Sequence, residues 1–138
     1  MVLFLNQNFY NQYLYRFYYV DKDFVRVADF VKSETPINST FLLNDEVSFM
    51  TFPYLARRHE YVGHIVESIY VHNKTKRLQW FFGSNQVGPA KRDFLHTEGI
   101  QYLIYNLNSE NLNIFNPSSM DYLQLVFTSG VYSLYQVL

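Results

Sequence analysis

Apolar residues at helical spacing predict the first clear helix of the chain. Asp23 can cap this helix, and four apolar residues fall on one of its faces: Phe24, Val27, Ala28 and Val31. Further upstream, Val2–Asn6 predicts a short strand, whose consecutive apolar residues suit burial on both faces. Between these elements Asn8–Leu14 fits helical spacing, whereas Tyr15–Val20 has the aromatic composition of a strand.

After a loop at Ser33–Thr40, two apolar segments flank three polar residues. Phe41–Leu43 and Val47–Phe52 lie on either side of residues 44–46, a pattern that predicts a β-hairpin.

Residues 61–82 allow two interpretations. Apolar residues recur from Val62 at i+3, i+4, i+7 and i+8, which favours a helix followed by a turn and a strand. Alternatively, Ile69–His72 and Arg77–Phe82 form a hairpin around residues 73–76. We expect an exposed basic turn here, because burying unpaired charge is costly. Its members are Lys74, Lys76 and Arg77.

The last third contains the remaining predicted elements. Gly83–Pro89 predicts a loop and Ile100–Leu107 a buried strand. Ser118 and Asp121 form a capping-box arrangement that predicts a helix through Phe127, which Gly130 can end in the left-handed conformation. Val131–Val137 then closes the chain as a strand. We therefore predict a single α+β domain, residues 1–138, with a mixed sheet of about five or six strands flanked by two to four helices.

Composition narrows the class of protein. The 138 residues are 49% hydrophobic and 17% charged and include no cysteine, so the chain has enough apolar surface to fold without disulfides or Cys-ligated zinc. Thirteen Tyr, thirteen Phe and one Trp predict an aromatic core, or a Tyr-rich surface that binds a partner. The N-terminus has neither a basic n-region nor a long apolar run, so we expect a cytoplasmic protein, in a host cell if it is viral, without membrane association.

Charge is distributed unevenly along the chain, although its net value is −1. Residues 54–92 hold seven basic and two acidic side chains, whereas residues 93–138 hold four acidic side chains and no Lys or Arg. The middle third is either an ordinary solvated face or an anion-binding surface, for which phosphate is the usual ligand. Duplex DNA is not the expected ligand, because a near-neutral protein gains little from counterion release.

His59 and His64 do not form a zinc-protease motif. Their i, i+5 spacing corresponds to about 500° of helical rotation, which leaves the two rings roughly 140° apart. Gly63-His64 at the head of an apolar-periodic segment instead suits phosphate binding at a helix start, or acid catalysis without a metal. The competing interpretation is that this pair is structural.

The order of elements resembles a family of small ring nucleases from archaeal viruses and phages, which includes type III anti-CRISPR proteins. The resemblance lies in an N-terminal strand ending at Asn6, in Val62-Gly63-His64, in Glu98–Tyr105, and in the segment from Ser118 through Gly130 to an aromatic strand. It implies a homodimer that binds cyclic tetra-adenylate, with His64 as general acid and no metal. That family carries an Arg near positions 108–112, whereas this chain has no Arg beyond residue 92, which favours binding over cleavage.

The predicted function is binding, and metal-independent cleavage if the protein is an enzyme, of a cyclic oligonucleotide or related anionic nucleotide by a viral counter-defence protein. His64 is the predicted catalytic residue, and no cofactor or metal is expected. The predicted ligand-binding residues are Asn6, Gly63, Arg57, Arg58, Lys91 and Arg92. The alternative is a non-enzymatic inhibitor or structural protein that binds a protein partner through a Tyr-rich surface.

Overall fold

The computed structural model describes residues 20–63, 70–86, 88–109 and 112–138. Four α-helices lie in this part of the chain: α1 (Lys22–Glu34), α2 (Glu46–Ala56), α3 (Val71–Phe82) and α4 (Pro89–Thr97). The strands are β1 (Thr40–Leu43), β2 (His59–Glu60), β3 (Tyr102–Asn106), β4 (Leu123–Ser129) and β5 (Tyr132–Val137), and a 3₁₀ turn spans Pro117–Ser119.

The five strands form one mixed sheet in the order β2-β1-β3-β5-β4. β1 pairs in parallel with both β2 and β3, and the register places Phe41 opposite Glu60 on one side and Tyr102 on the other. β5 pairs antiparallel with β3 and with β4. The mixed sheet and the four helices confirm the predicted α+β class.

Helices cover both faces of the sheet. On one face, α1 lies against β4 and β5 and α2 lies against β1 and β2; the ring of Phe52 from α2 is 5.0 Å from that of Phe41 and 6.4 Å from that of Phe24. On the other face, α3 places Phe82 6.1 Å from Tyr105 of β3. Side chains alternate between the faces of a strand, so β3 contributes to both halves of the core.

The first predicted helix is confirmed, with all four of its apolar face residues buried. Its cap differs by two positions: the side chain of Asp21, rather than that of Asp23, accepts a hydrogen bond from the backbone at the helix start (2.8 Å). Asp23 instead accepts a hydrogen bond from Ser129 (2.8 Å), which ties the start of α1 to the end of β4.

The hairpin predicted at residues 41–52 is wrong in its second half. Phe41–Leu43 is a strand, but Val47–Phe52 lies within helix α2. The Ser48 hydroxyl donates to the Asp45 carboxylate (2.7 Å), a contact between the residue before the helix and its first turn that favours the helical start. The apolar run has strand-like composition, but β propensity depends strongly on context.

Residues 71–82 form helix α3, so the predictions of a strand at Arg77–Phe82 and of a hairpin are both wrong. Leu78, Phe81 and Phe82 are buried at the helical spacing of i, i+3 and i+4. The predicted basic turn is therefore part of a helix: Lys76 and Arg77 are exposed, and Lys74 is half-buried.

Helix α4 was not predicted from the sequence. It begins after Gly88 with Pro89 in its first turn, where the missing N–H of proline costs nothing. Its short apolar pattern contributes Leu95 to the core, together with the buried Lys91.

The helix predicted from Ser118 to Phe127 is wrong. The Asn116 side chain accepts a hydrogen bond from the Ser118 amide (3.2 Å) and stabilises only a 3₁₀ turn, after which β4 pairs with β5. Gly130 has the expected positive φ of 57°, but it lies in the turn between β4 and β5. The capping signal is local, whereas the strand is stabilised by its pairing partner.

The aromatic-core interpretation accounts for most of the described tyrosines. Six of eight are buried, and the two exposed ones are Tyr54 and Tyr70. Among the described residues, no helix combines the length and apolar character needed to cross a membrane. The predicted strands at Val2–Asn6 and Tyr15–Val20 lie outside the described residues, apart from Val20, which is exposed and in no strand.

Candidate functional site

The carboxyl ends of β2, β1 and β3 meet at one edge of the sheet, because these three strands are parallel. From that edge β1 continues through α2 to β2, whereas β3 continues towards the opposite side of the sheet and β4. Adjacent strands whose connections diverge in this way leave a crevice where ligands of open α/β sheets commonly bind. The topology therefore places a candidate site between β1 and β3.

A buried amide network joins the two strands at this point. The Asn44 amide nitrogen donates to the carbonyls of Asn106 (3.0 Å) and Leu112 (2.9 Å). Its side-chain oxygen accepts a hydrogen bond from the Asn106 backbone (2.6 Å), and the Ser109 hydroxyl donates to the Asn44 carbonyl. Because Asn44 is fully buried, these bonds fix the geometry of the edge.

Asp45 directly follows Asn44 in the chain and is half-buried. Its carboxylate accepts hydrogen bonds from Ser48 (2.7 Å) and from the Asn106 side chain (2.9 Å). Burial raises the pKa of the nearby Tyr132 hydroxyl to about 12, and the negative charge of Asp45 is the next largest cause. The charges of Asp21 and Asp23 also raise this pKa, whereas a hydrogen bond with Ser48 lowers it. The groups that the structure brings together here are carboxylates, amides and hydroxyls.

The end of β2 adds a second carboxyl group to the same edge. The backbone N–H of Gly63 donates to Oε2 of Glu60. Burial raises the pKa of Glu60 to about 7, while hydrogen bonds from the amides of Gly63 and Val62 and the charge of Lys74 act in the opposite direction. Gly63 has a φ of 72°, a conformation that residues with a Cβ seldom adopt.

Tyr61 borders Glu60 on the side of α3 and α4. Lys74 donates to the Tyr61 carbonyl (2.7 Å) and its ammonium lies 5.0 Å from the centre of the ring. Arg77 pairs with Glu98. Burial raises the pKa of the Tyr61 hydroxyl, and Arg77 and Glu98 lie close enough to act on it in opposite directions.

The predicted ligand-binding residues in the described part of the structure lie on several elements: between α2 and β2, after β2, and on α4. Gly63 lies at the carboxyl edge, where its N–H is used by Glu60. Arg57 is exposed at the end of α2 with a φ of 54°, and Arg92 is exposed on α4. Asn6 and the predicted catalytic residue His64 lie outside the described residues.

Arg58, another predicted ligand-binding residue, is buried and hydrogen-bonded to the backbone at the end of α1. Its guanidinium donates to the carbonyls of Lys32 (2.9 Å) and Thr35 (2.7 Å) at the end of α1, and to the Arg57 carbonyl (3.0 Å). Cationic side chains stabilise helix C-termini by satisfying such carbonyls. The residue is 8% exposed, so its charge serves the fold.

Lys91 is likewise part of the fold. It is 1% exposed, its ammonium donates to the Ser84 carbonyl, and it lies over the rings of Phe115 (4.6 Å) and Phe81 (5.3 Å). Burial lowers its pKa to about 8. Two of the four predicted cations, Arg58 and Lys91, are therefore buried and hydrogen-bonded to backbone carbonyls.

The described residues hold no group of three His, Asp or Glu side chains arranged for a metal ion. His59, rejected above as a zinc ligand, is exposed on β2. Sequence reasoning missed Asn44, Asp45 and Asn106, although one signal was present: polar residues directly follow the apolar segment 41–43 and end the apolar segment 102–105. The hairpin prediction hid this signal, because it placed residues 44–46 in a tight turn.

Comparisons with known proteins bear on the fold alone. No protein-family model matches the sequence, and no curated protein matches it. The chain is similar in structure to the C-terminal globular domain of an oligosaccharyltransferase from Archaeoglobus fulgidus, with a TM-score of 0.58 and 10% sequence identity. The match covers 87% of this chain and 99% of that domain. The two chains therefore share an architecture over nearly the whole of the archaeal domain.

Proposed function

We propose that this chain is a globular domain of a glycosyl-transfer system and binds a saccharide at the carboxyl edge of its parallel strands. The observation that carries the proposal is the fold shared with an oligosaccharyltransferase domain over 99% of that domain's length. The likeness supplies the architecture, and the polar groups at the divergence of β1 and β3 supply a candidate binding surface.

The chemistry of this edge suits a neutral, hydroxyl-rich ligand. Phosphate and carboxylate ligands are usually held by Arg, Lys or clustered N–H groups. Here the half-buried Asp45 is an acceptor fixed by Ser48 and Asn106, and Asp21 and Asp23 add negative charge around Tyr132. Sugar hydroxyls donate to such carboxylates, whereas an anion is repelled by them.

The test is saccharide binding by the whole chain, measured by saturation-transfer NMR with methyl glycosides of glucose, mannose, galactose and N-acetylglucosamine. We expect at least one glycoside to bind, and we expect Asp45→Ala to weaken that binding about tenfold because one charged hydrogen bond is lost. Asp121→Ala is the matched control, since Asp121 is exposed. Absence of binding by the parent, or equal binding by Asp45→Ala, contradicts the proposal.

A nucleotide is the second candidate ligand, as the ring nuclease resemblance implies. The exposed Arg57 and Arg92 lie in the basic middle third of the chain, which favours an anion there. Cyclic tetra-adenylate is therefore added to the same NMR panel, with His64→Ala as the variant. Nucleotide binding that His64→Ala abolishes, with no glycoside bound, would replace the saccharide by the nucleotide.

A further inference from the structure

We propose that Glu60 belongs to this binding site and donates a hydrogen bond from Oε1 to an oxygen atom of the bound ligand. The inference rests on the proposed function and names a second ligand contact, at the end of β2, beside the Asp45 surface. The two carboxyl oxygens then have different roles: Oε2 accepts a hydrogen bond from the Gly63 amide, and Oε1 donates one to the ligand.

The backbone places the Glu60 carboxyl group towards the carboxyl edge. Glu60 lies opposite Phe41 in the register of β2 and β1, and the Tyr61 amide continues the pairing by donating to the Phe41 carbonyl (2.8 Å). From this position the side chain reaches forward to the N–H of Gly63, three residues further along the chain. The carboxyl group therefore lies beyond the last paired residue of β2, on the edge where Asn44 and Asp45 follow β1.

The two oxygens differ in their hydrogen bonds. Oε2 accepts from Gly63, whereas Oε1 is buried and has no hydrogen-bond partner among the described residues. Leaving a buried polar atom unsatisfied costs on the order of 1–3 kcal/mol, so native proteins seldom tolerate it without a functional reason. A ligand oxygen at Oε1 supplies the missing partner.

The charged surroundings allow this carboxyl group to be neutral. Lys74 is the cation that acts on it, and its ammonium is itself bound to the Tyr61 carbonyl (2.7 Å). Arg77 and Glu98 pair beside the Tyr61 hydroxyl; β1 carries no titratable residue, and α2 carries Glu46 as its first residue and the exposed Tyr54. With burial raising its pKa to about 7, Glu60 holds a proton in a large share of molecules at neutral pH. Because Oε2 accepts from the amide, that proton lies on Oε1.

The experiment compares wild type, Glu60→Gln and Glu60→Ala in binding the tightest glycoside of the panel between pH 6 and pH 8. Wild-type binding should weaken about tenfold across this range, because only the protonated fraction binds. Glu60→Gln keeps an acceptor at Oε2 and a donor at Oε1, so its binding should be tight and independent of pH. Glu60→Ala should bind weakly at both pH values, and Glu34→Gln, an exposed carboxyl group at the end of α1 and the matched control, should behave as wild type.

The outcomes separate the two proposals. Glycoside binding that depends on Asp45 but is unchanged in Glu60→Gln and Glu60→Ala overturns the role of Glu60 and leaves the saccharide site standing. Absence of glycoside binding by wild type at pH 6 overturns both. Should the variants fail to fold, ¹³C NMR of the wild-type Glu60 carboxyl decides: the glycoside must raise its pKa if Oε1 donates to it, and an unchanged pKa overturns the inference.

Discussion

Two neighbouring parts of the carboxyl edge satisfy their polar groups in different ways. Between β1 and β3, the fully buried Asn44 uses its amide group in three hydrogen bonds with Asn106 and Leu112. At the end of β2, the buried Glu60 has one oxygen bonded to Gly63 and the other without a partner among the described residues. A neutral amide can be satisfied completely by strand termini, whereas a buried carboxyl group stays sensitive to protons and ligands. The amide network between β1 and β3 therefore holds the site in place. The Glu60 carboxyl group can change its protonation when the pH changes or a ligand binds.

The largest change in the free energy of unfolding should come from removing the Asn44 side chain between β1 and β3. Asn44→Ala removes its three hydrogen bonds to the buried backbone of Asn106 and Leu112, although the Asn106 carbonyl keeps the Ser109 amide as a donor (3.2 Å). We expect the free energy of unfolding to fall by about 4 kcal/mol, the sum of several such losses. Urea denaturation measures this change. Asn113→Ala, at an exposed position, is the control, and a loss below about 1 kcal/mol for Asn44→Ala would show that the network is dispensable.

The next effect concerns the pH dependence of stability at Glu60. Its folded pKa of about 7 lies above the ordinary value of 4.5, so folding takes up a proton between these pH values. The free energy of unfolding should therefore decrease as pH rises from 4.5 to 7, by about 3 kcal/mol, and then level off. Glu60→Gln should lack this slope and exceed wild type in stability at pH 8. Urea denaturation across the pH range measures both curves; equal slopes in the two proteins would contradict the buried, proton-dependent role of Glu60.

The smallest change in stability should come from replacing Arg57, which lies between α2 and β2, by glycine. Arg57 is exposed with a φ of 54°, a conformation that costs a residue with a Cβ about 1 kcal/mol and glycine almost nothing. Arg57→Gly should therefore stabilise the fold by about 0.5 kcal/mol after the entropy of the unfolded glycine is counted. Lys76→Gly, at an exposed position inside α3, should instead destabilise by about 1 kcal/mol. Thermal unfolding of the two variants checks the opposite signs.

Part of the candidate site could have been predicted from the sequence. Asn44 and Asp45 follow an apolar strand that was correctly predicted, and Asn106 lies within the predicted strand Ile100–Leu107 and ends the observed one. Their proximity depends on parallel pairing of β1 with β3, between residues about sixty positions apart. The prediction of a hairpin at residues 41–52 removed that pairing from consideration. Glu60 was passed over for a related reason, since its burial depends on the helices and strands that surround β2.

The sequence by itself determined the α+β class, the helix with Phe24, Val27, Ala28 and Val31 on its buried face, and the strands predicted at 41–43, 100–107 and 131–137, of which the last two are shorter in the structure, at 102–106 and 132–137. These elements carry their signal locally, in the spacing and length of apolar runs. Only the tertiary structure decided that Val47–Phe52 is helical, that Leu123–Ser129 is a strand, and that Arg58 and Lys91 are buried. The physical reason is that strand pairing, burial of charge and shifts of pKa depend on neighbours distant in sequence, which no local pattern specifies.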